Sequence, residues 1–176
     1  MRKILIISPH YPPSNLAAVH RTRLFAQHLT SQGWDPIILT VHEEFYEEKL
    51  DWDLYKLLPY HQRIEKVKAV KVTKPRLIGD IGLRAFFQLR KKALDLVKSE
   101  KIDFVYPYLS RTTGEKTYRS AAWIYDFQHK YLPQFFTPEE IQQRDKTFSD
   151  IAKYAPTIVL SSRTAESDLH KFFPET

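Results

Sequence analysis

Asp126 and His129 stand three positions apart directly after the apolar run Ala121 to Tyr125. A histidine just past a buried strand can donate to a sugar hydroxyl or a phosphate, and it is the side chain that most readily changes protonation near neutral pH. The same placement recurs along the chain: His10, Ser14 and Asn15 follow Lys3 to Ser8, and Thr40 and His42 close Ile37 to Val41. Pro107 and Tyr108 follow Ile102 to Tyr106, and Ser161 and Ser162 follow Thr157 to Leu160. Open parallel sheets bind ligands beyond the carboxyl ends of their strands, so such residues can face one cleft although they are far apart in sequence. The alternative is a set of polar side chains on ordinary surface loops.

The elements that must position them alternate between strand and helix. Lys3 to Ser8 is too short for a helix and rich in isoleucine, as in a strand covered on both faces. Pro9, Pro12 and Pro13 then impose a loop. Leu16 to Gln32 spaces Ala18, Thr22, Phe25 and Leu29 as one helical stripe, and Gly33 ends it. Ile37 to Val41 reads as a second strand, and Ile64 to Thr73 as a third. Ile78, Gly82, Ala85, Leu89, Ala93 and Leu96 predict one long helix from Ile78 to Glu100. Ile102 to Tyr106 and Ala121 to Tyr125 are further strands. Thr137-Pro138-Glu139-Glu140 is a helix start with a capping box; Ile141, Phe148, Ile151 and Ala155 form the apolar face behind it. Thr157 to Leu160 is the last strand, and Ser161-Ser162 can cap a final helix burying Ala165, Leu169 and Phe172. About six strands alternating with helices predict an α/β fold: a Rossmann-like open, mostly parallel sheet with helices on both faces, as one domain over 1–176.

Composition narrows the function classes. A chain of 176 residues with 43% hydrophobic content supports one substantial core and is too short for two full Rossmann-type domains. No run approaches a transmembrane span and the start lacks a signal-peptide pattern, which suits a cytoplasmic protein able to sit at the inner face of the membrane. There is no cysteine, hence no disulfide or thiolate chemistry. The four glycines, Gly33, Gly79, Gly82 and Gly114, cannot assemble G-x-G-x-x-G or a Walker loop, so no glycine-rich nucleotide cradle is expected.

Two charged stretches admit more than one reading. His42, Glu43, Glu44, Glu47 and Glu48 resemble metal ligands, but no second histidine arrives at ligand spacing, and a solvated helix face is expected. Asp51-Trp52-Asp53 matches a D-x-D pattern that can hold a metal and a nucleotide sugar, yet it follows no strand. The basic face Arg84, Arg90, Lys91, Lys92 and Lys98 reads as a solvated helix surface; the sharper alternative is contact with anionic lipid. The net charge of +6 selects no partner by itself. No nucleic-acid motif accompanies it.

The opening KILIISPHYPPSNLAAVHRTRLFAQHLTSQGWDPIILT resembles the start of bacterial family 4 (group 1) glycosyltransferases of the GT-B fold. WIYDFQHKYLPQFFTPEEIQQRD and APTIVLSSRTAESDLHKFFPE resemble the last third of the amino-terminal domain in a branch of that family. The resemblance implies two Rossmann-like domains with an active site between them, the amino-terminal one receiving a glycan or lipid-linked acceptor. The carboxyl-terminal one, expected to be absent here and supplied in cis or trans, would bind the nucleotide-sugar co-substrate. Transfer would be of the retaining type, with no metal and no cofactor, resting on placement and on stabilising the leaving diphosphate. His129, with Asp126, matches the catalytic position, while His10, Ser14, Asn15, the early helix Arg21, Tyr108 and Ser161 are the implied substrate-binding residues. The loop departs from the family at Asn15-Leu16-Ala17-Ala18, where many members carry a glycine pair for backbone contact with phosphate. That shifts the expectation towards an acceptor pocket. The chain alone is expected not to transfer sugar; the alternative is a free-standing carbohydrate-binding or membrane-docking module.

Overall fold

A computed structural model describes residues 1–72, 79–107 and 118–174. They form two compact units, Met1–Tyr106 and Pro107–Thr176.

In the first unit, β1 (Arg2–Ile7) runs parallel between β2 (Trp34–Val41) and β4 (Phe104–Tyr106), and β3 (Arg63–Val67) lies outside β2, giving the order β3-β2-β1-β4. Ile6 registers with Ile38 and Tyr106, and Ile38 with Ile64. Ile4, Leu5 and Ile6, then Ile37, Ile38 and Leu39, are consecutive and all at most 3% exposed. Only a strand covered on both faces can bury successive side chains in this way. Ile4, Ile6 and Ile38 pack with Ala26 and Leu29 of α1 (Ala17–Ser31). Alternation turns Leu5, Ile37 and Leu39 to the other face, where α4 (Phe86–Glu100) packs on β1 and β2 through Leu89, Ala93, Leu96 and Val97. The fold is α/β with a parallel Rossmann-like sheet, and the order of its strands reverses between β1 and β4.

Two helices differ from expectation. In α1 the buried residues are Val19 and Ala26 in place of Ala18 and Phe25, while Leu29 of the expected stripe packs on the core and Thr22 is half-buried; Phe25 sits 42% exposed with its ring 5.7 Å from that of Tyr106. The expected helix from Ile78 to Glu100 is broken at Ala85 into α3 (Ile81–Arg84) and α4, and Ile78 lies outside the described residues. The break has a hydrogen-bonding cause: the Arg84 carbonyl accepts from Val70 N at 3.0 Å, while Arg84 Nη1 donates to Val70 O at 2.9 Å. These bonds tie the residue to the preceding strand connection instead of to a continuous helix. The third strand stops at Val67, short of the expected Thr73, which also lies outside the described residues.

In the basic face, Arg90, Lys91 and Lys98 are exposed as expected. Lys92 pairs with Glu65 at 2.9 Å and Arg84 is buried. Among the described residues no helix is long and apolar enough to cross a membrane.

The second unit contains β5 (Arg119–Ser120), β6 (Ala122–Ile124), α5 (Gln128–Tyr131), α6 (Pro138–Tyr154), β7 (Ile158–Leu160) and α7 (Arg163–Phe172). β6 and β7 pair in parallel as a sheet of their own, so the strands counted in sequence do not all enter one sheet. Ile124, Phe127, Phe148, Ala165 and Leu169 form its core. The capping box is complete: Thr137 Oγ1 accepts from Glu140 N at 3.2 Å and Glu140 Oε2 from Thr137 N at 2.8 Å. Ser162 Oγ caps α7 by accepting from Ala165 N at 3.1 Å.

Two helix ends use left-handed backbone. Gly33 after α1 has φ +79 and no atom within 4 Å of where a Cβ would stand, whereas Lys101 after α4 holds φ 54 with a side chain attached. Only conformational preference therefore separates them. Gly33→Ala is expected to cost about 1 kcal/mol and Lys101→Gly to stabilise by about 0.5 kcal/mol, read as opposite shifts of the urea midpoint at constant m.

Candidate functional site

The loop after β1 is held against the end of β2 by its own polar atoms. Ser8 N donates to Leu39 O (2.9 Å) and Val41 N to Pro9 O (3.3 Å), continuing the pairing beyond β1, and Thr40 Oγ1 adds a bond to Pro9 O (3.3 Å). Ser8 Oγ donates to His10 O at 2.7 Å and accepts from Thr22 Oγ1 at 3.2 Å. Ser14 N closes a turn onto Tyr11 O at 3.0 Å across Pro12-Pro13, whose peptide bond is cis. The far side of the loop meets the segment after β2: Ser14 bridges Leu50, and Asp51 N donates to Pro13 O at 2.7 Å.

This docking brings His10, Ser14, Tyr46 and Glu48 together. Glu48 Oε1 accepts a short hydrogen bond from Ser14 Oγ and stands 3.0 Å from His10 Nδ1, while Oε2 accepts from Glu47 N at 3.2 Å. The His10 ring lies against Tyr46, centroids 5.2 Å apart. Tyr46 is fixed in turn, its hydroxyl accepting from Tyr11 N at 3.1 Å and donating to Thr40 Oγ1 at 3.1 Å, whose own proton goes to Pro9 O. Burial pushes the Tyr46 phenol up, by more than its hydrogen bonds with Thr40 and the Tyr11 amide bring it down. For Glu48 the balance is reversed. Burial alone would raise it, but the bonds from Ser14 and the backbone, with the His10 imidazole beside it, hold its carboxyl below the usual range.

A cleft of about 380 Å³ opens beside these groups, lined by His10, Glu47, Glu48, Asp80, Ile81 and Arg84. Arg84 forms one wall, 3% exposed, with Nη1 donating to Val70 O at 2.9 Å and Nη2 to Phe45 O at 3.3 Å and Glu47 Oε1 at 2.8 Å. Asp80 Oδ1 caps α3 by accepting from Leu83 N at 3.0 Å. Among the described lining residues, three carboxylates stand against one guanidinium and one imidazole. The volume lies towards the lower end of the range of about 300 to 1,000 Å³ typical of small-molecule sites.

Of the residues singled out from sequence, His10 and Ser14 are brought into contact with one carboxylate. Asn15 and Arg21 are exposed, Arg21 close enough for its charge to lower the Tyr106 phenol against the larger raising effect of burial. Tyr108 lies outside the described residues. In the second unit, Asp126 Oδ1 accepts from Gln128 N at 3.1 Å with Arg144 Nη1 at 3.7 Å, and Ser161 Oγ donates to Tyr125 O at 2.6 Å. His129 is 1% exposed, not a loop histidine open to solvent. Its Nε2 is 3.0 Å from Asp145 Oδ1, and its ring meets Phe148 and Phe136 edge-on. Burial would raise Asp145, but bonds from Lys130 and His129 hold it below its usual value.

The D-x-D pattern has a structural use: Asp51 Oδ1 caps α2 (Trp52–Lys56) by accepting from Leu54 N at 2.9 Å, and Asp53 pairs with Lys56 at 2.8 Å on the surface. Among the described residues no three carboxylates or imidazoles converge as metal ligands. Glu48, Tyr46 and Arg84 are the site residues that sequence reasoning missed. The first was read as part of a solvated acidic helix, whereas the only helix there is a single 3-10 turn at Glu43–Phe45. For Arg84 a signal existed: it lies three residues after the apolar Ile81, a spacing that puts the two on one side of a helical turn.

No family model and no curated protein matches the chain.

The depressed Glu48 pKa has a signed consequence. Its contribution to stability is present above the ordinary glutamate value of about 4.3 and is lost as pH falls through its lower folded-state value. Glu48→Gln is therefore expected to destabilise at neutral pH and to flatten the acid limb of stability against pH, the two proteins converging at the acid end. Urea unfolding measured across the acid range reads both effects.

Proposed function

We propose that the chain is the acceptor-side domain of a retaining glycosyltransferase. It would bind a glycan or lipid-linked acceptor and present its hydroxyl to a sugar carried as a nucleotide diphosphate on a partner domain. The observation that carries this reading is the cleft at the carboxyl ends of β1 and β2, where His10, Ser14 and Glu48 meet. A parallel sheet places ligands there. The lining favours a sugar over a phosphate, since carboxylates and a partly exposed imidazole bond hydroxyls well, and three carboxylates outnumber the one guanidinium that would attract a diphosphate. The resemblance of the opening segment points the same way, and its departure at Asn15-Leu16-Ala17-Ala18 weakens phosphate contact in particular.

A second reading, a module that docks on an anionic membrane, draws on Leu83, Phe86 and Phe87, which are 62, 46 and 77% exposed beside Arg90 and Lys91. It is compatible with a lipid-linked acceptor.

Binding of the full chain to nucleotide-diphosphate sugars, to soluble oligosaccharides and to a short-chain polyprenyl-diphosphate sugar in neutral or anionic vesicles tests both. Acceptors are expected to bind at least about tenfold more tightly than any nucleotide sugar, and His10→Ala to lose about tenfold, the worth of one buried hydrogen bond. A nucleotide sugar that binds more tightly than every acceptor overturns the transferase reading. Equal affinity for empty anionic vesicles and for those carrying the acceptor favours the docking module.

A further inference from the structure

We infer that Glu48 fixes His10 as a hydrogen-bond acceptor, presenting Nε2 to a hydroxyl of an uncharged or cationic sugar in the cleft beside Arg84 and Asp80. Glu48 is the positioning residue and His10 the ligand-binding one. The ligand class rests on the acceptor-side reading above; the state of the histidine does not.

A neutral imidazole carries one proton, and the nitrogen that bears it is set by the bond the ring makes. An ionised carboxylate can only accept. With Glu48 Oε1 3.0 Å from Nδ1, the proton belongs on Nδ1, and Nε2 keeps its lone pair. Ser14 does not compete, because its hydroxyl donates to the same Glu48 oxygen. The carboxylate is pinned on its other side by the Glu47 amide. The ring itself is held by Tyr46, whose hydroxyl is bound to Thr40 and to the Tyr11 amide. Nε2 lies on the ring edge away from Nδ1, in a side chain that is 24% exposed and lines the cleft.

The rest of the lining sets the complement. Three of the five N–H groups of Arg84 donate to Val70 O, Phe45 O and Glu47, and its Nε is buried without a hydrogen-bond partner, so most of the guanidinium's donors are spent on the fold. Glu47, Glu48 and Asp80 are acceptors. A ligand that donates hydrogen bonds, through hydroxyls or an ammonium, finds partners there. A phosphate or carboxylate meets three negative charges against the single guanidinium of Arg84.

Protonation of His10 turns Nε2 from acceptor into donor. The charged or titratable groups facing it are Glu48 and Tyr46 from the segment after β2, with Glu47, Asp80 and Arg84 across the cleft; Ser14 is the polar neighbour on its own loop. Affinity for a hydroxyl donor therefore requires the neutral ring.

The full chain labelled with ¹⁵N-histidine tests this by two-bond ¹H–¹⁵N NMR, the His10 signals being assigned by their loss in His10→Gln. The expected result for the neutral ring is a proton on Nδ1 and a bare Nε2, with Glu48→Ala shifting the balance towards the Nε2–H form. A wild-type ring protonated on Nε2 overturns the inference without reference to any ligand. Titration with glucose, glucosamine, glucose 6-phosphate and glucuronate is the second arm. The first two are expected to perturb His10, with affinity at least about fivefold weaker once the ring is protonated, and His10→Gln, whose amide oxygen can replace Nε2, to bind without that pH dependence. A response dominated by the anionic sugars, or none to any of the four, overturns the ligand class. If the tautomer is as stated while polyprenyl-linked and oligosaccharide acceptors fail to bind, the transferase reading fails and the positioned histidine stands.

Discussion

One carboxylate ties the polar side chains of two stretches of chain, the loop after β1 and the segment after β2, that also meet through the Asp51 N–Pro13 O bond and the Tyr46 hydroxyl. Glu48 takes hydrogen bonds from Ser14, 34 residues earlier, and from the ring of His10, and its other oxygen is bound by its own segment's backbone. Burying a carboxylate costs several kcal/mol unless its lone pairs are met, and here the donors outweigh the burial, which is why the group stays ionised. The loop after β1 cannot form regular pairing because of its prolines, and it owes its shape to this bond and to the Ser14–Leu50 bridge. The position of His10, and with it one wall of the cleft, follows from that shape.

The loop can be held so only because its two anchor points are rigid. β1 and β2 bury consecutive side chains on both faces and register residue by residue from Arg2 with Trp34 to Ile7 with Leu39, so their carboxyl ends emerge side by side. Backbone pairing runs on for two residues past β1, to Pro9, before the chain departs. On the opposite wall the break between α3 and α4 performs the equivalent task. An uninterrupted helix would carry Arg84 on its regular spiral; the bonds to Val70 and Phe45 instead hold its guanidinium inside. A strand end, a proline loop and a helix break thus meet at one polar cleft, each fixed by backbone carbonyls or amides rather than by side-chain packing alone.

Much of the fold was legible because it follows local rules. Successive isoleucines announced strands buried on both faces, Gly33 marked a helix end that needs positive φ, and Thr137-Pro138-Glu139-Glu140 described its capping box atom by atom. His10 and Ser14 were legible as a loop at a strand end. What could not be read is what depends on long-range pairing. The spacing of Glu43, Glu44, Glu47 and Glu48 suits a helical face equally well, and nothing nearby in sequence indicates that Glu48 folds back onto Ser14. Part of the α1 stripe was misread because Ala18 and Val19 both fit one, and only the neighbouring sheet decides which is buried. Asp51-Trp52-Asp53 illustrates the opposite error: a pattern suggestive of metal chemistry is satisfied by a helix cap and a surface ion pair.

The two histidines that drew attention as chemistry show why position after a strand is an incomplete criterion. Both stand near a carboxylate at 3.0 Å, His10 with Glu48 and His129 with Asp145. The environments part them. His129 uses Nε2 for its carboxylate, and its Nδ1 is buried without a hydrogen-bond partner among aromatic rings, a cost that the core of the second unit absorbs. Such a ring orders its surroundings, tying α5 to α6 through Asp145, which also receives Lys130. His10 is held by Nδ1 with its ring at the edge of a cleft, so the pairing that orients it also leaves a basic nitrogen available. The same pair of residue types encloses both ring nitrogens at His129 and leaves one at the edge of a cleft at His10.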